Sequence, residues 1–219
     1  LAERPGLGAV VEEAVGWGLS RVTLHLGRGE RGALRASRLA GVVDDLVVVV
    51  RNGEDLQDVA ALTRDGFRVA AAVPLDGATL PKLDALSGAL ARMQPARVLL
   101  TWPLDGDPPP RAPRVAVALP GPVARLEAAG VQVGVKGLPL CQLGPLHRLG
   151  GATRNRWYVD AEHQRDQALL FFPDVLRFAK EDVCRWCPWG PRCDGAPAPW
   201  LAARRVGVLR PPSASDAKP

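Results

Sequence analysis

Short runs rich in β-branched residues alternate with stretches of helical periodicity over the first two thirds of the chain. Strands are expected at Arg21–Gly27, Asp45–Arg51, Phe67–Leu75, Ala96–Leu104 and Val131–Leu138. Each is short and nearly continuously apolar, as buried parallel strands are. Between them, Leu56, Val59, Ala60 and Leu62 recur at helical spacing within 54–65, and Gly66 supplies a stop. Leu83, Leu86, Leu90 and Met93 form one face of a second helix over 80–93, and a third runs over 115–129 to Gly130. A further helix, over 8–19, precedes the first strand. Regular β-α alternation implies a parallel sheet with helical crossovers, either doubly wound or part of a barrel. A complete eight-fold barrel needs about 250 residues. The expected fold is therefore α/β, a partial (β/α) barrel of about five parallel strands. In such folds chemistry gathers at the C-terminal strand ends. Those ends carry 27–30, Arg51, Asn52, Pro74, Trp102 and Lys136.

The alternation stops near residue 140 and the chemistry changes. The chain has 219 residues and four cysteines. Cys184, Cys187 and Cys193 lie in C-R-W-C-P-W-G-P-R-C-D-G, and Cys141 follows the last expected strand. Four thiolates complete a tetrahedral set for one zinc ion or one iron–sulfur cluster. A C-x2-C pair reaches a common centre from one turn, and Gly190 and Gly195 permit sharp geometry beside it. Zinc sites more often use two such pairs, and spacing alone leaves zinc and cluster open. Joining Cys141 to Cys184 closes about 43 residues, a cost of roughly 3 kcal/mol plus a constant. Structural zinc in small peptides returns roughly 10–16 kcal/mol. One centre therefore suffices to pin the C-terminal segment. Trp186, Trp189 and Trp200 flank the cysteines, as a shield against water or as ordinary packing. The expected organisation is a barrel-like domain over 1–140, a small cysteine-rich extension over 141–201, and a disordered tail over 202–219.

Composition narrows the classes. With 47% apolar residues a substantial core is available, so two disulfides of the kind that staple small secreted domains are not required. The longest apolar run, Leu46–Val50, is far short of the roughly 20 residues of a membrane helix. The first residues are polar, and Glu12 and Glu13 interrupt the segment after them, unlike a signal peptide. The expectation is a cytoplasmic protein without a membrane partner. The net charge of +5 comes from arginines spread along the chain. With no clustering and no aromatic RNA-binding motif, nucleic acid is not an expected partner. Walker, Rossmann, zincin and nucleophile-elbow motifs are absent. His25 and Lys136 read as ordinary strand residues, and His147 and His163 lack partners at metal spacing.

The cysteine region resembles radical S-adenosylmethionine proteins. A G-[IL]-P-L-C segment in that family corresponds to Gly137–Cys141, and K-x3-C-x2-C-x5-C-x-G to Lys180–Gly195. The C-x2-C-x5-C spacing is also similar to SPASM and twitch extensions. The resemblance implies an auxiliary [4Fe-4S] cluster on Cys141, Cys184, Cys187 and Cys193, with zinc as the alternative. Leu26–Glu30 resembles the family's G-G-E-P motif, and Arg51-Asn52-Gly53 its T-N-G. The resemblance thus implies Gly27, Gly29, Glu30 and Asn52 as residues toward S-adenosylmethionine. In both motifs arginine replaces family residues. The family's C-x3-C-x2-C loop is absent from this sequence. The chain is then either a piece of a longer enzyme acting on a peptide or small metabolite, or a degenerate homologue that binds or transfers electrons. Without a preceding strand, Arg21–Gly27 is an expected exposed sheet edge, open to a protein partner or self-association.

Overall fold

A computed structural model describes residues 7–17, 23–26, 43–103, 107–151, 158–159, 170–171 and 178–212. Helix α1 spans Leu7–Gly16. Five strands follow: β1 Thr23–Leu26, β2 Asp45–Val49, β3 Val69–Pro74, β4 Arg97–Thr101 and β5 Gln132–Lys136. They form one parallel sheet in the order β1-β2-β3-β4-β5. The order never reverses, so the sheet lacks the switch point of a doubly wound fold. Among the described residues β1 pairs on one side only, with Leu24 opposite Leu46 and Leu26 opposite Val48.

The crossovers are helical where periodicity expects them. Helix α2 is Gly53–Arg64, and α3 is Leu83–Met93 after a 3-10 turn at Leu80–Lys82. The helix expected over 115–129 is instead two, α4 Ala112–Ala118 and α5 Pro120–Ala128. Pro120 has no N–H to continue the first and a fixed φ suited to starting the second.

The chain divides into two compact units, residues 1–101 with 120–134 and residues 102–119 with 135–219. In the first, α2 packs on β2 and β3, and α3 packs beside α2 and α5. Arg125 ties α5 to α3 through the Asp84 carboxylate at 2.7 Å and the Ser87 hydroxyl at 3.0 Å. One face of the sheet is sealed: Leu46, Val48, Val69, Ala71, Val73, Val98 and Leu100 are fully buried. Register sets Val47 beside Ala70, and Val49 beside Ala72 and Leu99, on the other face. There Val49 is 39% exposed and Leu99 only half-buried. Val47, Ala70 and Ala72 on this second face are nevertheless buried, with Leu99 packed against them, so both faces contribute to the core.

In the second unit, the Trp102 N–H donates to the Lys136 carbonyl at 2.8 Å, and buried Trp200 donates its indole N–H to the Pro103 carbonyl at 2.6 Å. A short helix α6, Leu140–Leu143, and a 3-10 segment, Gly144–Leu149, follow β5. Two-residue strands β6 Tyr158–Val159 and β7 Leu170–Phe171 pair antiparallel. So do β8 Phe178–Ala179 and β9 Ala196–Pro197, after which α7 spans Ala198–Ala202. The disorder expected from residue 202 does not hold for 202–212. Val206 and Leu209 are buried, the Arg205 carbonyl accepts from Ala112 N–H at 2.9 Å, and the Val208 carbonyl accepts from Gln142 at 3.0 Å. Apolar residues spaced through the arginine-rich stretch make this packing possible. Residues 213–219 lie outside the described residues. Among the described residues no helix is long and apolar enough to cross a membrane.

Candidate metal centre

Cys141 is carried by α6 immediately after β5. The turn between them depends on Gly137, at φ 85°, where a Cβ would run into the Trp102 carbonyl. The other three cysteines sit between β8 and β9. Rungs at Phe178–Pro197 and Ala179–Ala196 close this segment at its base. Inside it, 3-10 turns at Asp182–Trp186 and Gly190–Arg192 wind the chain tightly. Their backbone bonds run from Cys187 N–H to the Cys184 carbonyl at 3.2 Å and from Gly190 N–H to the Cys187 carbonyl at 2.9 Å. Cys193 N–H reaches the Gly190 carbonyl at 3.4 Å.

All four cysteines line one cavity in the second unit, together with Lys180, Trp189, Gly190 and Gly195. All four are free thiols, and none forms a disulfide. Their sulfurs lie within electrostatic reach of one another. Burial pushes the Cys141 thiol above its ordinary value, and the other three cysteines add to the effect. Burial likewise raises Cys184, with Cys193, Cys187 and Glu181 contributing. Backbone donors oppose this. The Arg210 amide bonds Cys141, the Glu181 amide bonds Cys184, and Gly195 N–H donates to Cys193 Sγ at 3.4 Å. At Cys141 and Cys184 these donors only partly offset burial, so in the absence of a cation both remain raised and favour the thiol. Gathered thiolates repel, and a bound cation relieves that repulsion. Four thiols lining one cavity are donors of the chemistry a thiophilic metal or cluster takes. Among the described residues no group of three or more His, Cys, Asp or Glu is drawn together closely enough to hold a single metal ion.

The tryptophans separate. Trp189 is buried and lines the cavity, and Trp200 is buried on its Pro103 bond. Trp186 is 85% exposed and shields nothing; its place in a one-turn 3-10 segment between two inward cysteines turns it outward. His147 has no metal partner but stacks on Trp189, with centroids 4.3 Å apart, and its Nδ1 lies 3.0 Å from the Gly144 carbonyl. The clamp on Trp189 was not visible in the sequence, because 42 positions separate the two rings.

The residues expected toward S-adenosylmethionine fare differently. Gly27, Gly29 and Glu30 lie outside the described residues. Asn52 caps α2: its Oδ1 accepts from Glu54 N–H at 3.0 Å and Asp55 N–H at 3.1 Å. The buried Asp55 carboxylate answers by accepting from Asn52 N–H at 3.2 Å and Arg51 N–H at 2.7 Å. Arg51 pairs with Asp76 at the end of β3. Burial pushes the Asp76 carboxyl up, but bonds from Thr79 and Arg51 outweigh it and hold it below the ordinary value. The D-G-A-T sequence is an Asx-turn signature that marks Asp76, and it went unread. His25 lies on β1, and Lys136 ends β5 with an exposed side chain.

No family model matches the chain, and no curated protein matches it in sequence.

Proposed function

We propose that Cys141, Cys184, Cys187 and Cys193 hold one [4Fe-4S] cluster, and that the chain is a radical S-adenosylmethionine-like protein in which this is the auxiliary cluster. The observation that carries the reading is the single cavity lined by all four sulfurs, three of them with backbone N–H donors. Zinc accepts the same four thiolates, and the likeness of the C-x2-C-x5-C spacing to auxiliary-cluster extensions is what favours the cluster over it. When bound, such a cluster supplies one-electron exchange and a rigid cross-link. The four cysteines would hold it, Trp189 would line one side of it, and the cross-link would tie the loop bearing Cys184, Cys187 and Cys193 to Cys141.

The sequential parallel sheet supports a partial barrel, with the cysteine-bearing segment as an extension of it. In a longer enzyme this barrel would bind S-adenosylmethionine and a peptide or small metabolite. Alone, the chain is an electron-transfer or binding module. The one-sided pairing of β1 supports a protein partner or second copy along that edge, in the cytoplasm.

Anaerobic purification followed by iron, sulfide and zinc analysis tests the cluster. About four irons per chain, with brown absorption lost in Cys141→Ala, is the expected result. Colourless protein with one zinc, or iron content indifferent to all four cysteines, overturns it.

A further inference from the structure

We infer that Lys180 and Glu181 form an opposed pair of charges that sets the reduction potential of the cluster, Lys180 favouring the reduced state and Glu181 the oxidised one. This rests on the cluster reading. Lys180 is the first residue after β8 and lines the cavity that the four cysteines share. Its position is fixed at both ends. A Cβ built on Gly195 would meet the Lys180 Cγ at 2.9 Å, so the stem lies flat across the only side chain that fits there, glycine's hydrogen. Its Nζ donates to the Gly190 carbonyl at 2.9 Å. That carbonyl also accepts from Cys193 N–H at 3.4 Å. The ammonium is thus held at the turn between the second and third ligands of the C-x2-C-x5-C run, rather than free to sweep through solvent.

Glu181 is its chain neighbour. Together with Lys180, Cys184 and Cys187 it lines an open groove outside the cavity. Its backbone amide bonds the Cys184 sulfur, while its carboxylate acts on that sulfur with the opposite sign. A cubane with four thiolates carries net negative charge, one unit more when reduced. A nearby cation therefore stabilises the reduced state more than the oxidised one, and a nearby anion does the reverse. Both side chains are exposed, so solvent and salt screen them. The effect is modest and largest at low ionic strength.

The test is redox titration of the iron-loaded full chain, followed by absorption and electron spin resonance, at low and high salt. Lys180→Gln should lower the reduced-to-oxidised ratio at fixed potential by about three- to tenfold, tenfold being about 59 mV for one electron. Glu181→Gln should raise it. Lys180→Arg should stay near wild type. High salt should shrink both shifts. A role limited to bracing the loop would alter iron content without opposite shifts in potential. If Lys180→Gln fails to hold iron, Glu181→Gln alone decides, because its backbone amide is unchanged. Unmoved potentials, or shifts of one sign in both variants, overturn the inference and leave the cluster standing. A wild-type chain that takes up no iron overturns the cluster reading itself.

Discussion

At Gly195 the backbone takes φ 94°, and a Cβ would strike the Ala179 carbonyl across the β8–β9 ladder. Gly195→Ala should destabilise the protein by more than about 1 kcal/mol. It should also lower iron retention, since the same residue's N–H bonds Cys193. Gly190 is the control: a Cβ there meets only the Cys184 carbonyl at 3.6 Å, so Gly190→Ala should be near neutral. Urea denaturation with iron analysis separates the two. The thiols predict a pH dependence as well. In metal-free protein the fold raises Cys141 and Cys184 above the ordinary value of 9.0. The folded chain then holds these protons more tightly than the unfolded one. Their contribution to stability is complete below pH 9 and is lost as pH rises through the elevated values. Iron-loaded protein should not show this loss, because its thiolates are already deprotonated. Equilibrium denaturation of both forms between pH 7 and about 10.5 checks the contrast. Equal alkaline losses would show that the sulfurs do not share a centre.

Capping decides what Asn52 does for its helix. The reciprocal bonds of Asn52 and Asp55 predict that Asn52→Ala costs about 1 kcal/mol, and that Asn52→Asp recovers most of it. Thermal melts test this, and full stability in Asn52→Ala would remove the cap as the residue's structural role. The cap also shows why one motif supports two readings. Asn-Gly at a strand end is ordinary helix-start chemistry, and the same letters resemble a cofactor motif. Strands β2, β3 and β4 were legible because each is a short apolar run bounded by helical periodicity. The split of α4 from α5 was missed because apolar spacing continues through 115–126 across Pro120. The turns that gather Cys184, Cys187 and Cys193 are too short to have periodicity. Cysteine spacing pointed to a shared cavity, but not to the 3-10 winding around it.

On the scale of the chain, the sheet is built from apolar residues at strand and helix periods, and these are readable in sequence. The second unit is not. Its joints are single hydrogen bonds between groups distant in sequence, such as Ala112 N–H to the Arg205 carbonyl and the Gln142 side-chain amide to the Val208 carbonyl, and no local pattern encodes them. A packed 202–212 therefore came as a correction. This contrast predicts how the protein responds to loss of iron. Chelation should remove hydrogen-exchange protection from 178–212 while β2, β3 and β4 keep theirs, since their core is independent of the cysteines. Uniform loss across both segments would show that the metal supports the whole fold.

The two rungs between 178–179 and 196–197 act as a drawstring at the neck of the cysteine loop. Residues added within the neck leave the neck itself unchanged, and each doubling of the enclosed length costs only about 0.6 kcal/mol. The length of chain inside this purse can therefore change at little cost while the two rungs hold its neck.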